Sequence, residues 1–129
     1  SLYKGIAAAV DGARVGDIGH AVQSYAESFG FGVVRELEGH GIGTQMHESP
    51  GIPNYGRQGH GPKLRNGMTI CIEPMITAGS RNVYLDKNGW AVHTADHRNA
   101  AHYELTVVVR KGHAEQLSTF DFIENNVKF

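Results

Sequence analysis

The sequence is short of several things, and each shortage closes off a class of protein. It has one cysteine, Cys71. That excludes an internal disulfide framework and suits a reducing compartment such as the cytoplasm. No apolar run approaches the roughly 20 residues that a membrane-crossing helix needs, and no signal-peptide pattern is visible. Charge of either sign is in balance, with a net −1 when histidine is neutral. This removes the electrostatic case for nucleic acid or an anionic membrane as partner. Internal repeats and low-complexity tracts are also missing. What remains is a soluble-domain composition, 40% hydrophobic and 19% charged, over a length that suits one domain.

Glycine and histidine are in excess. Seventeen glycines are nearly twice the usual share of about 7%. The eight histidines are scattered, not tandem, so composition alone does not make them a metal tract. The two residue types meet in LEGHGIGTQMHESP, residues 37–50, where His40 and His47 flank Gly41 and Gly43 and Gly39 precedes them. Either the histidines are incidental to a tight turn, or backbone approaches a ligand closely there and imidazole binds a metal or moves a proton.

The spacing of Leu2, Ile6, Ala9, Val10 and Ala13 is helical, so the chain opens in mid-pattern. Ser1 as an N-cap, removal of an initiator Met, and loss of residues upstream all fit that opening. Asp17 reads as an N-cap. Ile18, Ala21, Val22, Tyr25, Ala26 and Phe29 form an apolar stripe for a helix near 18–29, with Gly30 as its C′ residue. From residue 33 the pattern is β. VVREL leads towards His40, residues 50–67 read as a long surface loop, and MTICIEPMI, GWAVHTA and AHYELTVVV read as strands. Two helices followed by antiparallel strands make an α+β fold.

Two glutamates stand out within the strands. Glu73 shares a face with Thr69 and Cys71, opposite Met68, Ile70 and Ile72. Glu104 shares a face with His102 and Thr106, opposite Tyr103, Leu105 and Val107. A buried carboxylate is costly unless paired, protonated or metal-bound; the alternative is a solvated sheet face. With His40 they offer one nitrogen and two carboxylates. That set suits Mn, Fe(II), Co or Zn, and carboxylates can bridge two ions. Two ions about 3.5–4 Å apart can activate water and clamp a tetrahedral intermediate. The spacings of 33 and 31 residues match no short metal motif.

GHGIGTQMHESPGIPNY, GMTICIEPMI, GWAVHTAD and AHYELTVVV, in this order and spacing, resemble the C-terminal half of type I methionine aminopeptidases, and the likeness covers essentially all of residues 1–129. The resemblance implies half of a pita-bread fold, in which two pseudo-symmetric α+β halves enclose a dinuclear divalent-metal site. It implies removal of the initiator methionine from nascent chains when the next residue is small. Carried over, His40, Glu73 and Glu104 are metal ligands, with Glu104 bridging and Glu73 also the general base. His47 holds the substrate carbonyl and steadies the oxyanion. Met46 and Trp90 line the pocket for the substrate side chain. His102 is a candidate partner that orients a carboxylate.

Leu37 and Leu105 depart from the family pattern, at positions where it usually has an aromatic or Met residue and a His or Asn. The family's two aspartate ligands and a further histidine come from its N-terminal half, so three of five protein ligands are expected here and the isolated chain is expected to be inactive or very weak. An Xaa-Pro peptidase of the same fold and a non-catalytic half-site binding module are the competing readings. The 25 residues between His47 and Glu73 leave no room for the insertion of type II enzymes. His20, His60, His93, His97 and His113 read as surface residues, and Cys71 as a buried inert thiol.

Overall fold

In a computed structural model, which describes residues 1–127, two helices cover one face of a five-stranded antiparallel sheet. Helix α1 (Leu2–Ala8) and helix α2 (Val15–Glu27) pack across one another. Ser1 occupies the N-cap position of α1 and its carbonyl accepts from Lys4 and Gly5, but its hydroxyl makes no capping bond. Helix α2 begins before the residue expected to cap it. Asp17 lies inside the first turn, where Oδ2 accepts the Arg14 N–H at 2.7 Å and Oδ1 accepts the Gly59 N–H at 2.7 Å. One carboxylate therefore closes the helix end and pins a loop more than forty residues away. The cause lies in its two oxygens: an N-cap uses one on its own helix, and Asp17 has the second to spare.

These backbone hydrogen bonds hold the Asp17 carboxyl below its usual range. Its contribution to stability is therefore complete above the unfolded value of about 3.9 and fades as pH falls through the folded one. Asp17→Ala is expected to lower stability by about 1–2 kcal/mol, read as an earlier urea midpoint with unchanged slope.

Ile18, Val22 and Ala26 are buried as their stripe requires, whereas Tyr25 and Phe29 are exposed and pack edge-on at 5.1 Å on the surface. The helix ends at Glu27 with Ser28 at its C-cap, two residues earlier than expected, so Gly30 falls one residue beyond the C′ position, where it still takes the left-handed φ of +78° that favours glycine. The β pattern after it is shorter than VVREL suggested. Strand β1 is Gly32–Val33 only, and Arg35–Leu37 leave the sheet.

The remaining strands are β2 (Gly39–Gly41), β3 (Glu48–Ile52), β4 (Thr69–Ile72), β5 (Met75–Thr77), β6 (Val83–Leu85), β7 (Val92–Thr94), β8 (Ala100–His102), β9 (Leu105–Val109) and β10 (Ala114–Gln116), followed by a short helix α3 (Asp121–Glu124). The large sheet has the order β10-β9-β4-β2-β3; β1-β5-β8 and β6-β7 form smaller ones. The loop after β3 is not purely superficial, because Asn54 and Leu64 are fully buried and Pro50 and Ile52 belong to β3. Helix α3 adds a third helix to the two expected. The Phe120 ring before it meets Tyr103 edge-on at 5.2 Å.

The core decides which face of the sheet is free. Ile70, Ile72, Leu105, Val107 and Val109 point towards the helices and are 0–1% exposed, packing with Leu2, Ile6 and Ile18. Burying each such side chain contributes about 1.5–3 kcal/mol. Because a strand alternates sides with period two, burying these residues commits Cys71, Glu73, Glu104 and Thr106 to the opposite face. Among the described residues, no helix is long and apolar enough to cross a membrane.

Candidate metal centre

Both MTICIEPMI and AHYELTVVV are broken strands. The first runs as β4, leaves the large sheet at Glu73–Pro74, and resumes as β5 in the small one. The second runs as β8, leaves at Tyr103–Glu104, and resumes as β9. Pairing stops at the break because Pro74 has no N–H to give. Yet the register does not slip. Ile72 faces Leu105 before the break and Met75 faces His102 after it, so Glu73 stands opposite Glu104. Residues opposite one another in antiparallel strands have Cβ atoms about 4.5–5.5 Å apart, and like charges there are destabilising.

The neighbouring strand completes the face. His40 is in register with Cys71, and Cys71 in turn with Thr106. His40 Nδ1 donates to the Gly41 carbonyl oxygen at 2.8 Å, which leaves Nε2 directed at Glu73 Oε1, 3.6 Å away. His102 Nε2 approaches the other oxygen, Oε2, at 3.2 Å. The His47 ring lies 4.2 Å from the His40 ring at 55°. His40, His47, Glu73, Glu104 and His102 are thus gathered on one side of the sheet.

The glycines around His40 have a steric reason. A Cβ on Gly39 would stand 2.2 Å from the Cys71 carbonyl oxygen, and one on Gly41 would stand 2.4 Å from that of Ser49. Neither distance is possible without moving a strand. Small residues here let β2 close upon β4 and β3, and that closure brings the His40 ring over Glu73.

Electrostatics mark the same place. Burial, and after it the charge of Glu104, push the Glu73 carboxyl up; the His102 and His40 imidazoles pull the other way. The Glu73 side chain is only 14% exposed, and among the described residues its ion-pair partners are these two histidines, with no Lys or Arg. Two facing carboxylates with imidazoles around them and no fixed cation suit a divalent metal ion. Donor atoms of Glu73, His102 and Glu104 lie within 4.8 Å of one another, as do those of His40, Cys71 and Glu104.

Cys71 is buried and its thiol is pushed up to about 11, mainly by burial and further by the two glutamates, against the Thr106 hydroxyl. It is a protonated thiol near neutral pH, in keeping with an inert residue. Asn54 was not signalled by the sequence beyond its place in a turn-like GIPNYG. It is fully buried, and Nδ2 donates to the Glu73 carbonyl oxygen at 3.2 Å, supporting the backbone at the break.

Met46 and Trp90 are 71% and 89% exposed. Neither lines the cavity of about 420 Å³ beside His102, whose walls include Leu37, Met75, Val92, His93 and Arg98.

Residues 1–111 match metallopeptidase family M24. The chain is 54% identical over 109 residues to the methionine aminopeptidase of Clostridium acetobutylicum, covering 84% of this chain and 44% of that protein. It is 48% identical over 109 residues to methionine aminopeptidase 1 of Bacillus subtilis, again 84% of this chain and 44% of that protein. The crystal structure of the Rickettsia prowazekii methionine aminopeptidase superposes with a TM-score of 0.87 at 46% identity, over 89% of this chain and 47% of that one. An X-Pro aminopeptidase from Thermotoga maritima, at 20% identity and TM-score 0.64, shares the fold alone. The chain spans about half the length of the curated relatives it matches. Since the family match spans residues 1–111 and so includes every candidate donor residue, the chain belongs to metallopeptidase family M24, as an α+β half of the pita-bread fold.

Proposed function

We propose that residues 1–129 act as the C-terminal half of a methionine aminopeptidase catalytic domain, removing the initiator methionine from nascent proteins in the cytoplasm. The observation that carries this reading is the unslipped register at the double strand break, which sets Glu73 against Glu104 beneath His40. Identity near 50% to methionine aminopeptidases supports the choice of substrate.

In this reading His40, Glu73 and Glu104 would be the ligands this chain supplies to two divalent ions, drawn from Mn, Fe, Co or Zn. The chemistry that bound divalent cations supply is Lewis-acid activation of water and of the scissile carbonyl. Glu73 serves as the proton acceptor: a carboxyl pushed up from its usual range is a better base near neutral pH. His47, held against the His40 ring, takes the carbonyl oxygen and steadies the charge that develops there. Met46 and Trp90 contact the substrate methionine through thioether and ring, and their exposure leaves both side chains accessible. The remaining ligands come from the other half of the fold.

The test is metal-dependent release of methionine from a Met-Ala-Ser peptide. The 129-residue chain alone is expected to release little or none, and restoring the upstream half is expected to confer chelator-sensitive turnover. Robust turnover by the chain alone would refute the shared-site reading. Absence of turnover from the restored, metal-loaded protein would refute the activity.

A further inference from the structure

We propose that His102 is itself a metal ligand, sharing with Glu73 and Glu104 one cation position. This rests on the metal-site reading above and extends it, because a partner that merely orients a carboxylate does not touch the ion. Three features of the structure support it.

The first is that the two oxygens of Glu73 face different imidazoles. Oε1 faces His40 at 3.6 Å and Oε2 faces His102 at 3.2 Å. A carboxylate so placed has one oxygen for each of two cation positions. The second is that Glu104 belongs to both three-donor groups, with His40 and Cys71 on one side and with Glu73 and His102 on the other. The third is reach. Donors around a tetrahedral zinc ion at about 2.0–2.2 Å stand about 3.5 Å apart. The His102–Glu73 separation already meets that spacing, and the Glu104 oxygen needs only a side-chain adjustment within the 4.8 Å group. The His102 side chain is 48% exposed, so its ring can turn without disturbing the core.

Cys71 is the weaker candidate for a fourth donor. Its thiol is buried and must give up a proton against two nearby carboxylates, whereas a neutral imidazole offers its lone pair at no such cost.

The experiment is a titration of the ¹⁵N-histidine-labelled 129-residue chain with Zn(II), following the imidazole nitrogens by NMR, with His102→Gln and His102→Ala titrated alongside. Glutamine can still donate an N–H to Glu73, so it preserves an orienting role but not ligation. The expected result is that Nε2 of both His40 and His102 moves to a metal-bound shift, and that both variants bind zinc at least roughly tenfold more weakly. If His40 moves while His102 keeps a protonated Nε2, and His102→Gln binds as tightly as the unmodified chain, His102 is not a ligand and only this proposal falls. If neither histidine moves at saturating zinc, the metal-site reading falls with it. Unchanged amide spectra of the metal-free variants check that the fold is intact.

Discussion

Replacing Glu104 by glutamine is expected to act in opposite directions on the metal-free chain and on the metal-loaded parent enzyme. In the metal-free chain it removes the charge that stands opposite Glu73 and raises its carboxyl. A carboxyl whose folded value lies above its unfolded one costs stability as pH rises from the ordinary glutamate range through the raised value. Glu104→Gln therefore flattens that loss, although burial of Glu73 keeps part of it. Urea titrations at pH 4 and pH 7, both with chelator present, are expected to show a smaller drop between the two for the variant than for the unmodified chain. In the full-length metal-loaded protein the same change removes a ligand under the function proposed above, and turnover is then expected to fall roughly a thousandfold, the scale of several kcal/mol of transition-state stabilisation. Near-normal turnover would remove Glu104 from the ligand set. An unchanged pH profile without metal would mean that the two carboxylates do not sense one another.

A methyl group added at Gly39 is expected to have a large effect on the fold for its size. The new carbon would lie 2.2 Å from the Cys71 carbonyl oxygen and 3.3 Å from Ile52 Cβ. The obstruction is backbone in the middle of a sheet, so no rotamer change relieves it. Strand β2 must move away from β4, carrying His40 from Glu73. A loss of about 3 kcal/mol, at the upper end for overpacking, is expected for Gly39→Ala in urea unfolding. Zinc affinity measured on the folded fraction is expected to fall with it, because His40 moves. Gly89→Ala is the control. Gly89 has φ +70° but nothing within 4 Å of an added Cβ, so that change strains a hairpin and leaves zinc affinity alone. Equal effects of the two substitutions on zinc binding would show that close approach at Gly39 does not position His40.

Local patterning marked the fold class and the strands that lead to the candidate donor residues. Period-two alternation around Ile70, Ile72, Leu105 and Val107 put Glu73 and Glu104 on the faces away from the core, and burial of those four residues follows the pattern. Helical spacing marked α1 and α2. Their ends were less legible, because Asp17 works at the third position of α2 with one oxygen on the helix and one on Gly59, and a distant loop leaves no trace in local sequence. The apolar stripe was likewise too wide, since Tyr25 and Phe29 stay at the surface, where their rings pack on one another.

Tertiary structure alone decided convergence. His40, Glu73 and Glu104 are separated by 33 and 31 residues, and no local pattern fixes which strands become neighbours or in which register. The order β9-β4-β2 and the unslipped pairing across the Glu73–Pro74 break do so. They also bring in Asn54, for which local sequence offers no signal, and set His102 against the second oxygen of Glu73. Local alternation states which side of a strand a residue takes; only long-range pairing, driven by burial of the opposite face, states what it meets there.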